Sequence, residues 1–245
     1  MRQTATYHIA NIDAFKKNLL FWSSHFKHTA AYIGETSKEN GLHMKYDMLV
    51  GVDSLSSLLS NSDSFNSLKA FHEKNKDWIF GFLSYDLKNE LEDLHSKNSD
   101  ELHLPNLCFF QPKWVFEIIG NDISIHFPSD ITRKEMQLVF KEIMLTQTDS
   151  LKSPKVEVNS RISKTEYLST FKKLQEHIKR GDVYEINYCQ EYFAKSSDLS
   201  PVHTFDSLYS ISNSPFSAFF RTEDLYLMSA SPERFIKKVG SKIIS

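Results

Sequence analysis

Apolar residues recur along this chain with two periods, and the longer one marks helices. Phe15, Leu19, Trp22 and Phe26 follow one another at intervals of three or four behind Asn11 and Asp13, either of which can cap a helix start. Met136, Val139, Phe140 and Ile143 repeat the pattern after Ser129-Asp130. The clearest helix opens at Ser163-Lys164-Thr165-Glu166, a capping box in which the hydroxyl bonds a free amide and the carboxylate reaches back. Tyr167, Phe171, Leu174 and Ile178 then form one stripe, and Gly181 stands where a left-handed helix end costs least. A further helix enters at Ser200-Pro201 and turns Phe205, Leu208 and Tyr209 inward.

The shorter period and the short apolar runs mark strands. Residues 7–9, 44–52 and 78–85 are of strand length. Residues 114–119 and 123–127 flank Gly120-Asn121-Asp122 as a hairpin, and residues 216–220 and 225–229 flank 221–224 as another. Residues 183–193 alternate, with Tyr184, Ile186, Tyr188 and Tyr192 on one face and Glu185, Asn187, Cys189 and Glu191 on the other. Residues 54–67 are serine-heavy and read as a loop and a helix start. Strands that arrive as hairpins predict an α+β fold, antiparallel sheets with packed helices, rather than a doubly wound parallel sheet. Residues 146–159 are polar, contain Pro154 and lack periodicity. They divide an N-terminal region, 1–150, from a second region, 160–245.

Composition narrows the function classes. Aromatic residues reach 13%, with 19 Phe, which predicts a core of packed rings. The net charge of −2 without a long basic run argues against nucleic acid or an anionic membrane as a partner. No apolar stretch approaches the ~20 residues of a membrane span. The two cysteines, Cys108 and Cys189, read as reduced thiols in a cytoplasmic protein. No glycine-rich dinucleotide or P-loop string occurs, which removes two common enzyme classes.

Two segments carry candidate chemistry. Strand 183–193 is either half exposed or lines a polar cleft with its Glu185–Asn187–Cys189 face. At Ser231-Pro232-Glu233-Arg234-Phe235 a proline removes a ladder donor directly after an apolar strand. A carboxylate fixed at such a strand end can serve as a general acid or base; the plainer reading is a surface Glu–Arg pair. The ten histidines form no metal-binding string. Ser84-Tyr85-Asp86 reads as the end of a strand or a small hydrogen-bond cluster.

Three strings, in order, resemble the chorismate-binding domain shared by anthranilate, aminodeoxychorismate and isochorismate synthases. They are Ile178-Lys179-Arg180-Gly181-Asp182-Val183-Tyr184-Glu185-Ile186-Asn187, Pro215-Phe216-Ser217-Ala218-Phe219 and Ser231-Pro232-Glu233-Arg234-Phe235. Gly81-Phe82-Leu83-Ser84-Tyr85-Asp86 resembles a segment of the family's N-terminal part. Asn187, and the form of the 215–219 string, are nearer the aminodeoxychorismate synthase component I type than the anthranilate synthase type, which usually carries valine there.

The resemblance implies amination of chorismate at C4 in para-aminobenzoate and folate synthesis, with ammonia from a glutamine amidotransferase partner. It implies a magnesium ion on the substrate carboxylate, and Glu233 as the group that assists departure of the C4 hydroxyl. Tyr184, Asn187 and Ser231 become substrate-cleft candidates. Ser23, Ser24, Tyr32, Pro215 and Phe216 become candidates for a tryptophan pocket, since residues 21–35 occupy the place of the segment that forms one in some members. The family continues beyond Phe235 to a P-I-K-G-T string with a lysine nucleophile and to acidic magnesium ligands, none of which this chain contains. The expectation is an inactive N-terminal fragment without metal ligands. Tyr184, Ile186, Phe216 and Phe220 would lie bare in it and promote self-association. The alternatives are an anthranilate synthase component I fragment and a non-catalytic binding or regulatory module.

Overall fold

The structure is a computed structural model that describes residues 1–34, 45–148, 154–195 and 198–244. Glu35, Met44, Ser245 and residues 149–153 of the expected linker lie outside the described residues. The chain divides into two compact units, Met1–Ser150 with Pro201–Ser245, and Leu151–Ser200.

In the first unit, β1 (Arg2–His8) leads into α1 (Ile12–Ser23), which Asn11 caps by accepting the Ala14 amide. Phe15, Leu19 and Trp22 are buried, as their spacing predicts. β2 (His28–Ile33) and β3 (Met48–Ser60) follow, then α2 (Ser64–Asn75) and β4 (Phe80–Leu83). A 3-10 turn over Tyr85–Glu90 begins at the Ser84-Tyr85-Asp86 segment. β5 (Leu107–Ile119) and β6 (Asp122–Pro128) form the expected hairpin, with Ile119 opposite Asp122. α3 (Arg133–Leu145) buries Met136 and Ile143.

One local expectation needs correction here. The serine-heavy segment is not a loop up to the helix: residues 54–60 are the second half of β3, held by the ladder to Leu107–Pro112 of β5. A bulge lies between Ser54 and Ser56, opposite Pro112. Proline has no amide to donate, so it sits where the ladder is already interrupted. α3 follows Ser129-Asp130 as expected, and its cap is Thr132: its hydroxyl accepts the Glu135 amide and the Glu135 carboxylate returns to the Thr132 amide.

The second unit holds β7 (Asn159–Ser160), α4 (Lys164–Arg180) and β8 (Tyr192–Phe193). The Ser163–Glu166 capping box forms, and Gly181 closes the helix at φ +81°. One expectation fails in this unit. Residues 183–193 do not form a strand: only Tyr192 and Phe193 pair, with Asn159 and Ser160. Alternation prepares a surface, but a ladder also needs a partner, and among the described residues 183–190 have none, while the Glu191 carbonyl accepts the Arg161 amide. On the α4 stripe, Phe171 is 43% and Ile178 41% exposed.

The chain then returns to the first unit with α5 (Pro201–Ser212), β9 (Phe216–Thr222) and β10 (Leu225–Ser231). Phe205 is fully buried, whereas Leu208 stays partly exposed, contrary to expectation. A short hairpin of β11 (Lys237–Val239) and β12 (Lys242–Ile244) ends the chain.

The sheet order is β1-β6-β5-β3-β2-β9-β10, with β4 beside β5, and every pairing is antiparallel. This is the α+β arrangement the hairpins predict. α1, α3 and α5 cover one face, where Phe15, Leu19, Met136, Ile143 and Phe205 pack with Phe116 and Phe219 of the sheet. The other face carries a smaller cluster of Ala30, Phe80, Phe110 and Phe220. Phe220, expected to lie bare, is therefore core, with Phe82 edge-on to its ring.

An ion pair ties the β1 edge to the chain before β4. Arg2 Nε donates to Asp77 at 2.8 Å, and the side chains are 12% and 18% exposed. Burial alone would push the Asp77 carboxyl up, but bonds from Arg2, Gln111 and the Trp78 amide outweigh it and hold it below its ordinary value. A depressed folded pKa stabilises the fold above the unfolded value of ~3.9 and loses that stabilisation as pH falls through the folded one. Asp77→Asn is expected to cost about 2 kcal/mol at neutral pH, the scale of charged hydrogen bonds. In urea titrations the gap to the native chain should close below pH ~4; a gap independent of pH would contradict this.

Candidate functional site

The chemistry-bearing strings fall in both units. In the first, β10 ends at Ser231, which pairs with Phe216, the first residue of β9. Pro232 stops the ladder, and a tight turn follows in which the Ser231 hydroxyl donates to the Glu233 carbonyl at 2.9 Å and accepts the Glu233 amide at 3.2 Å. Arg234 lies over the Phe216 ring, 5.0 Å from its centroid. Glu233 itself is exposed, and its carboxylate has no partner among the described residues. The turn thus holds the backbone of Glu233 and leaves its side chain exposed. Arg234 was read from the sequence only as a charge beside Glu233. Its ring partner follows from the Ser231–Phe216 register, which no spacing along the chain reveals.

The five tryptophan-pocket candidates are spread over the first unit. Ser23 and Ser24 close α1, with hydroxyls donating to the Leu20 and Phe21 carbonyls. The Ser24 carbonyl accepts from Arg221 at 2.7 Å. Tyr32 packs on the opposite face of the sheet, its ring stacked on Phe80 and its hydroxyl donating to the Gly81 carbonyl at 3.3 Å. Burial pushes that hydroxyl up to about 12. Phe216 is on the Tyr32 face by strand alternation, since Tyr32 pairs with Ala218. Pro215 precedes β9. Ser23 and Ser24 are thus separated by the sheet from Tyr32 and Phe216.

In the second unit, Tyr184 is 93% exposed and Asn187 is also exposed. The Gly181-Asp182 pair has a local reason. Gly181 takes the left-handed position, and Asp182 accepts from His177 and Arg180, each at 2.7 Å. Their bonds hold the Asp182 carboxyl below its ordinary value and offset the placement of an anion at a helix C-terminus. An open depression of about 470 Å³ beside the α4 start is lined by Ser163, Tyr167, Gln190 and Tyr192. Tyr184 and Asn187 do not line it.

Cys108 is buried, and burial pushes its thiol up, so it is a poor nucleophile; Cys189 is exposed, and neither is in a disulfide. Among the described residues no three His, Cys, Asp or Glu side chains converge in a way that could hold a metal ion. Nor is any helix among them long and apolar enough to cross a membrane.

The profile of the chorismate binding enzyme family matches residues 17–245. The aminodeoxychorismate synthase component 1 of Escherichia coli is 27% identical over 165 residues, which cover 66% of this chain and 36% of that protein. The anthranilate synthase component 1 of Thermus thermophilus is 24% identical over 181 residues, covering 68% of this chain and 38% of that protein. The chain thus matches little more than a third of these relatives. A crystal structure of anthranilate synthase component I from Streptococcus pneumoniae superposes with a TM-score of 0.68 at 14% identity, covering 85% of this chain and 56% of that one.

Proposed function

The chain belongs to the chorismate-binding enzyme family, and from that premise we propose that it is the N-terminal part of a chorismate-aminating synthase of the aminodeoxychorismate type. Its substrate is chorismate, and the incoming group is ammonia released by a glutamine amidotransferase partner. The observation that carries this reading is the Ser231–Phe235 turn, which presents a free carboxylate on a fixed backbone. Glu233 is assigned the proton that departs with the C4 hydroxyl. Asn187 and the Pro215–Phe219 string favour amination at C4, as does the relative of that type. No step is routed through magnesium.

A second reading is anthranilate synthase component I, favoured by the structural likeness to such an enzyme and by the Thermus relative. The two differ in the carbon that receives nitrogen.

The test is turnover of chorismate with ammonia and magnesium ions. The 245-residue chain is expected to form no product above its Glu233→Ala variant. The polypeptide of the complete reading frame is expected to be active, and Glu233→Ala should lower its kcat by roughly 10²-fold or more, as for loss of a general acid. Turnover by the 245-residue chain above the variant would overturn its assignment as an inactive part. An unchanged kcat in the longer polypeptide would remove Glu233 from the mechanism. No turnover by either would favour a binding module.

A further inference from the structure

Two of the family-like strings meet across one pair of strands. Ser231 stands directly opposite Phe216 in the β9–β10 ladder, so their side chains share a face of the sheet. Pro232 ends the ladder, and the Ser231 hydroxyl turns the chain at once by bonding both the carbonyl and the amide of Glu233. That turn sorts the side chains that follow. Glu233 and Phe235 are exposed, whereas Arg234 is half buried, its guanidinium 5.0 Å from the centroid of the Phe216 ring. A guanidinium within about 6 Å of an aromatic centroid is attracted by the negative face of the ring. The strand beneath the ring is itself fixed. Ser217, the next residue, pairs with Ile33 of β2 on one side and Ala230 of β10 on the other.

We infer that Phe216 and Arg234 are positioning residues for Glu233: the ring seats the guanidinium, and the seated guanidinium fixes the turn that aims the carboxylate. The inference rests on the role proposed above for Glu233. Glu233 lies between two tied points, the Ser231 hydroxyl before it and the Arg234 seat after it. With the first tie alone, the chain beyond Glu233 could swing about the turn. A general acid must come within about 3 Å of the atom that takes its proton. A misplacement near 1 Å can lower the rate by roughly 10²-fold. Residue 216 therefore acts through its π face more than through its bulk, and it acts on the 231–235 string without touching substrate. Ser231, a substrate-cleft candidate, has its hydroxyl committed to the same turn.

In the polypeptide of the complete reading frame, Phe216→Leu removes the π face and keeps an apolar side chain. It is expected to lower kcat for chorismate amination by about 10- to 100-fold. KM should stay within about twofold, as for an interaction made in the transition state. Phe216→Tyr, which keeps a ring under the guanidinium, should recover most of the loss. Arg234→Met should cost as much as Phe216→Leu, and the double variant no more than either alone, because both remove one contact. Glu233→Ala, run in parallel, separates two failures. If it abolishes turnover while Phe216→Leu does not lower it, the positioning inference is overturned and the proposed function stands. If Glu233→Ala leaves turnover unchanged, the role proposed for Glu233 falls, and this inference with it. A second readout is independent of turnover. In the 245-residue chain, ring current should hold the Arg234 δ-methylene protons upfield of their position in Phe216→Leu. Identical positions in the two chains would overturn the seat.

Discussion

A Gly81→Ala chain is expected to lose the β4–β5 pairing and about 3 kcal/mol of stability, the upper part of the range for overpacking. A Cβ at Gly81 would lie 2.1 Å from the Cys108 carbonyl oxygen and 2.5 Å from the Phe109 ring. The ring could turn aside, but the carbonyl cannot, because Cys108 is laddered to Leu59 of β3 on one side and to Phe82 of β4 on the other. The strain must move β4. Its displacement would draw Phe80 away from Phe110 and Tyr32, and would separate Gly81 from the Tyr32 hydroxyl. Urea denaturation followed by Trp fluorescence measures the loss. A change within ~0.5 kcal/mol, the size of an ordinary surface substitution, would mean that the close approach is absent. The glycine of a family-like string thus has a packing reason that involves no substrate.

Phe219→Ala is expected to cost about 3–5 kcal/mol, as other truncations of buried aromatics do. Phe219 is fully buried at the centre of β9, 5.6 Å from the Phe205 ring of α5 and 6.4 Å from the Tyr226 ring of β10. Its removal leaves a cavity where helix and strand meet, so α5 should loosen before the sheet. Hydrogen exchange should show Pro201–Ser212 opening at lower denaturant than β5. Uniform loss across the unit, or a cost below about 1 kcal/mol, would contradict a keystone role for this ring.

The sequence-readable parts are those set by near neighbours. The Ser163–Glu166 box, the Gly181 stop and the two hairpins depend on residues a few positions apart, and they appear where their spacing predicts. The Thr132–Glu135 box had the same signature and was open to the same reading. Long-range pairing was less legible. Residues 54–60 look like a loop because serine is polar, yet β5 supplies them with a ladder. Residues 183–190 look like a strand because they alternate, yet no ladder partner is present among the described residues. The candidate site divides in the same way. The break at Pro232 and the placement of Glu233 behind it were visible in the string, whereas the seat of Arg234 on Phe216 depends on a register 15 residues back (the span from Phe216 to Ser231).

The measurement closest to the central claim is the identity of the aminated product. The polypeptide of the complete reading frame would be incubated with chorismate, ammonium and magnesium, and the product resolved by chromatography and mass spectrometry. The expected product is 4-amino-4-deoxychorismate, with the new nitrogen at C4. Anthranilate, or isochorismate without incorporated nitrogen, would contradict it.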